Sequence, residues 1–90
     1  MNKREKVEEI LKDENPDALF LDGFDDAIVG IVRRIGLYVV AYDEDVCLQI
    51  LIKGGMDWEE ACEYFEYNVK GASMGEHTPV FFIPVRSDSL

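Results

Sequence analysis

DGFDDAIVGIVRRIGLYVVAYD, residues 22–43, contains two short runs rich in β-branched side chains, at 27–34 and 37–42. Ile35-Gly36 separates them, and a two-residue break with glycine predicts a tight hairpin. Both runs are apolar on both faces. In the second, Leu37, Val39 and Ala41 point one way and Tyr38, Val40 and Tyr42 the other. A sheet that is apolar on two sides must be covered twice. So short a chain offers few helices for that. The expectation is that a second copy covers one face, with Tyr38, Val40 and Tyr42 as the self-association surface.

Working outward, Val7, Ile10 and Leu11 recur at helical spacing among charges, predicting a helix over 3–14. Asn15-Pro16 stops it, because proline disfavours the helical conformation in the residue before it. After the hairpin, Asp43 reads as the N-cap of a helix over 44–53, with Val46, Cys47, Ile50 and Leu51 inward and Gly54-Gly55 as its stop. Asp57 and Glu60 form an acidic capping box for a helix from Trp58 to about Lys70. Its inward stripe is Trp58, Ala61, Cys62, Phe65 and Val69, and Gly71 closes it. A last strand is predicted over 80–85, with Pro84 marking an edge or an end. Arg86 to Leu90 reads as a polar tail. The order is α-β-β-α-α-β, a single α+β domain with a three-stranded, mainly antiparallel sheet.

Composition narrows the function. Nineteen acids against nine bases give a net charge of -10, which repels nucleic acid phosphates and anionic lipid. Direct nucleic acid binding and membrane association are therefore not expected. No apolar run approaches the roughly 18 residues a membrane span needs, and the charged opening Met1-Asn2-Lys3-Arg4 does not read as a signal peptide. A cytoplasmic protein with a basic partner fits this balance. The two cysteines, Cys47 and Cys62, both fall at inward helical positions and read as reduced, buried thiols.

Several motifs occur in one order: DGFDDAIVG at 22–30, AYD at 41–43, Gly55-Met56, Glu60-Ala61, EYFEYNV at 63–69, Gly75-Glu76 and TPVF at 78–81. In these the chain resembles a family of small uncharacterised proteins from bacteriophage, bacterial and archaeal genomes. The resemblance spans about residues 16–82. It brings no catalytic residues with it, and it implies a host-interaction or anti-defence setting. Where the family pattern has Gly-Ala-Tyr, this chain has Gly71-Ala72-Ser73.

Two constellations stand out. Asp22, Asp25 and Asp26, joined by Asp43 and Glu76, are the candidate ligand or cation site, since hard cations take several carboxylate oxygens. The calcium-loop spacing fails, because its closing position falls on Arg33 or Arg34. If the five carboxylates converge, a small-ligand binder or hydrolase is the alternative reading. The second constellation is a carboxylate stripe, Glu59, Glu63 and Glu66, bordered by Tyr64, Tyr67 and Asn68 on one helix. Such a face suits a basic protein. His77 is the only histidine and sits in a loop, so neither a nucleophilic triad nor a zinc site has its parts. Phosphate-binding glycine spacing is missing too, and no cofactor or metal is expected. The sequence thus reads as a non-enzymatic, acidic interaction module that forms a homodimer.

Overall fold

A computed structural model describes residues 2–71 and 75–85. Helix α1 spans Lys3–Glu14. Its N-cap, Asn2, accepts from the Glu5 N–H while the Glu5 carboxylate accepts from the Asn2 N–H, a reciprocal cap that satisfies two otherwise orphaned donors. Val7 and Leu11 are its buried contacts, whereas Ile10 turns outward. A short 3-10 turn, Asp25–Ala27, leads into β1 (Ile28–Arg34), which pairs antiparallel with β2 (Leu37–Asp43). The hairpin turn holds both Ile35 (φ 50°) and Gly36 (φ 81°) in the left-handed region. That suits glycine but strains a β-branched residue. Gly30 marks a bulge in β1 opposite Ala41, and nothing crowds the position a side chain would take there.

Helix α2 (Glu44–Lys53) follows β2 without a break. The Asp43 side chain accepts from the Val46 N–H at 3.2 Å, as a cap should. Helix α3 (Trp58–Tyr64) starts with the reciprocal Asp57–Glu60 box. Beyond Tyr64 the coil widens into a π turn, Phe65–Lys70, so the predicted helix is α only in its first half. The turn puts Phe65 and Val69 inward and leaves Glu66, Tyr67 and Asn68 outside. Strand β3 is shorter than expected, Val80–Phe82, and it pairs parallel with β2. The α+β class and the order of elements hold, and the sheet is mixed, in the order β1-β2-β3. A parallel partner needs a long crossover, which α2 and α3 supply. The tail at 86–90 and the Ala72-Ser73 difference lie outside the described residues.

The main core cluster lies on the Val40 and Tyr42 face of the sheet, and Val39 and Ala41 on the other face are buried as well. Val7 and Leu11 of α1, Cys47 and Leu48 of α2, Ala61 of α3, and Phe65 and Val69 of the π turn all join the cluster that contains Ile28, Val40 and Tyr42. Tyr38 packs half-buried against it. This corrects the expected self-association surface. Val40 and Tyr42 are fully buried inside a single chain. Residues of all three helices join the cluster that hides them. Val39 and Ala41, on the opposite face, are outside this cluster but also buried, at 0 % and 3 % exposure, so the single chain covers β2 on both sides there.

Gly71 closes the π turn for want of room, not for torsion. A Cβ there would sit 2.7 Å from the Glu66 carbonyl oxygen. Gly71→Ala is therefore expected to push the turn open and cost roughly 1–3 kcal/mol, the range for overpacking. At about 4–8 °C per kcal/mol, melting should fall by roughly 4–24 °C. An unchanged melting temperature would show that the turn is not held by that contact.

Candidate functional site

The five carboxylates of the first constellation do not form one site. Asp22 and Asp25 meet at Arg4, whose Nη1 lies 3.7 Å and 3.4 Å from their Oδ1 atoms, while its Nε lies 3.7 Å from Glu8. The same guanidinium stacks over the Phe20 ring. Asp26 is exposed, with Lys3 bonded to its carbonyl oxygen and not to its carboxylate. Asp43 is buried and spent on capping α2. Glu76 lies in the 3-10 turn Gly75–His77 on the far side of the hairpin, beside Arg34 and His77. Among the described residues, no three histidine, cysteine or acidic side chains are grouped to hold a metal ion. Asp22 and Asp25 thus tie the acidic turn to α1 through one arginine, and Asp43 shapes a helix start.

Cys47 offers no nucleophile. Burial, aided by the charges of Asp43 and Glu44, pushes the Cys47 thiol up to about 12, so it carries no thiolate at neutral pH. Cys62 is half-buried. His77 Nδ1 is engaged by the Asn15 amide at 3.1 Å, and its Nε2 lies 3.9 Å from Glu76.

The second constellation does assemble. α3 and the π turn present a shallow groove of about 320 Å³ lined by Met56, Glu60, Glu63, Tyr64, Tyr67 and Asn68. The capping box sets its upper end, since the Glu60 carboxylate is held by the Asp57 N–H at 3.0 Å. The π turn sets its lower end by swinging Tyr67 out to 78 % exposure. Tyr64 is also exposed. Among the described residues, Glu59, Glu60 and Glu63 have no cation within ion-pair distance. Glu66 shares Lys70 with Glu44, at 3.9 Å and 3.4 Å. Aromatic rings and unneutralised carboxylates therefore alternate on one exposed surface. Of the expected stripe, Glu63, Tyr64, Tyr67 and Asn68 line the groove, while Glu59 and Glu66 are exposed outside its lining.

Trp58 is the residue that the sequence pattern misplaced. It was expected inward with Ala61 and Phe65, yet it is 57 % exposed. It is the first residue of α3, where the chain has only just left the Gly55-Met56 turn, and the buried stripe begins one turn later at Ala61. Its position at the helix start, next to the Asp57 cap, was the available signal. Trp58 adds a third exposed ring to this helix. No family model, curated protein or solved structure matches the chain, so this surface is read from its own residues.

Proposed function

We propose that the chain is a non-enzymatic, acidic interaction module that binds a basic protein through α3 and the π turn and works as a homodimer. The observation that carries the binding half is the groove of Glu60, Glu63, Tyr64 and Tyr67, with exposed rings and carboxylates that no cation of the described chain neutralises. Exposed tyrosines bury much area at little entropic cost, and tyrosine, tryptophan and arginine dominate binding energy at protein interfaces. Unpaired carboxylates around them attract lysine and arginine and speed encounter. The net charge of -10 extends that attraction over the whole molecule. The homodimer half is supported by apolar side chains left open on β1, Val29 and Val32. With the family resemblance, the reading extends to a phage-type accessory protein that engages a host component.

The test is a titration of the protein with an arginine-rich peptide, followed by the fluorescence of its single tryptophan, Trp58. Saturable binding that weakens steeply with salt is expected. Tyr64→Ala with Tyr67→Ala should weaken it by ~10-fold or more, as loss of interface anchors does. Glu59→Gln with Glu63→Gln should chiefly flatten the salt dependence and slow association. Binding indifferent to both pairs of substitutions would rule this surface out.

A further inference from the structure

β1 is an outer strand, with β2 on one side and, among the described residues, no strand on the other. An open strand edge presents a row of backbone donors and acceptors that another strand can join. Proteins guard such edges, and β1 has two guards, the bulge between Ile28 and Gly30 and the arginines at its end. These guards leave one pairing favourable. Read with the turn before it, the strand runs Asp25-Asp26-Ala27-Ile28-Val29-Gly30-Ile31-Val32-Arg33-Arg34. Two acids open the segment, two bases close it, and everything between is apolar or glycine.

Laid antiparallel on a second copy about the midpoint between Val29 and Gly30, the segment is complementary to itself. Ile28 then lies beside the partner's Ile31, and the 3-10 turn that carries Asp26 comes to the partner's Arg33 end of the strand. Ile28 and Ile31 share the helix-covered face, since they stand opposite Tyr42 and Val40 of β2. The match therefore keeps inside and outside aligned across the junction. An in-register parallel pairing would set acid on acid and base on base, which is repulsive.

Asp26, Arg33 and Arg34 are open in the single chain, whereas Asp25 already lies 3.4 Å from Arg4. Among the described residues, neither Arg33 nor Arg34 has a carboxylate within ion-pair distance. Arg33 lies over the Tyr38 ring, and Arg34 donates to the Glu76 carbonyl oxygen at 3.5 Å. Asp26 and Arg33 are both exposed. Val29, the bulged residue, is 49 % exposed. Beside it, between α1 and β1, a cavity of about 390 Å³ lined by Lys3, Lys6, Val7, Ile28, Val29 and Gly30 leaves room for an apolar side chain from an added strand.

We infer that the β1 edge pairs antiparallel with the β1 edge of a second copy, with Asp26 near the partner's Arg33, joining two three-stranded sheets into one. This rests on the homodimer reading above and names its surface. Sedimentation equilibrium tests it at about 0.15 M salt, where a screening length of ~8 Å damps the repulsion between two acidic chains but spares contact pairs. The wild-type chain is expected to dimerise. Asp26→Arg and Arg33→Asp should each weaken the dimer by ~10-fold or more, because each turns two symmetric attractions into repulsions. An equimolar mixture of the two variants should dimerise at wild-type strength, since every reversed charge then meets its opposite. Recovery in the mixture also shows that both variants are folded. A wild-type chain that stays monomeric at its highest soluble concentration overturns both the homodimer and this edge. A dimer that tolerates both substitutions keeps the homodimer and overturns the edge. Its loss on Phe82→Glu would then move the interface to the other side of the sheet.

Discussion

Tyr42→Ala is expected to bring the domain close to unfolding. Tyr42 is fully buried on the central strand, opposite Ile28. Its ring lies 5.9 Å from that of Phe81 on β3, and Phe81 meets Phe65 of the π turn edge-on at 5.2 Å. One side chain therefore links the sheet to the coil that carries the acidic groove. Removing a buried aromatic ring costs roughly 3–5 kcal/mol. A domain of this length has about 5–13 kcal/mol in all, at ~0.05–0.15 kcal/mol per residue. The urea midpoint should fall by about 3 M for a slope near 1–1.5 kcal/mol/M. The milder Tyr42→Phe separates ring from hydroxyl. Tyr42 Oη accepts from the buried Leu21 N–H at 2.9 Å, and burial pushes the phenol's pKa up, so it stays neutral. Without the oxygen that N–H is stranded, at roughly 1–3 kcal/mol. A loss below about 1 kcal/mol for the alanine variant would contradict the core described above.

Asn15→Ala is the second large effect. Asn15 is buried at the end of α1, and its side chain makes three contacts. Its amide donates to the Tyr38 carbonyl oxygen at 2.8 Å and reaches His77 Nδ1 at 3.1 Å, and its oxygen accepts from the Asp17 N–H at 3.2 Å. One residue thus fastens the helix end, the start of β2 and the turn before β3. At ~1 kcal/mol per net hydrogen bond, with buried partners left unmet, the loss should be roughly 2–4 kcal/mol. Hydrogen exchange would show where it falls. Amides around Leu19, which donates to the His77 carbonyl oxygen, should lose protection before those of α2. Uniform loss across the chain would mean that Asn15 contributes only to global stability.

Tyr42 was expected on a self-association surface and Asn15 only as a helix stop, and the distant partners of both escaped the sequence for a physical reason. Asn15 reads as a helix stop because proline follows it, and that reading is correct. Its bonds to positions 38 and 77, however, cross the chain and leave no local trace. The acidic groove was more legible. Glu60, Glu63 and Tyr64 lie on the α-helical part, Trp58–Tyr64, where spacing alone fixes neighbours. The carboxylate cluster was a poor guide because proximity in sequence says nothing about which cation claims each acid. Arg4, eighteen residues before Asp22 in the chain, claimed two of them.

The amino-acid order alone determined the extents of α1 and α2, the Asp43 and Asp57 caps and the hairpin at Ile35-Gly36. These depend on hydrogen bonds and torsions that span only a few residues. Tertiary structure decided which side of β2 joins the main cluster with the helices. Leu37, Val39 and Ala41 are as apolar as Tyr38, Val40 and Tyr42, so the alternating pattern carried no preference between them. It also decided the parallel sense of β3, the π turn that exposes Tyr67, and the outward place of Trp58. Each of these depends on how distant segments close around one core, and the lowest free energy of that closure is a property of the whole chain.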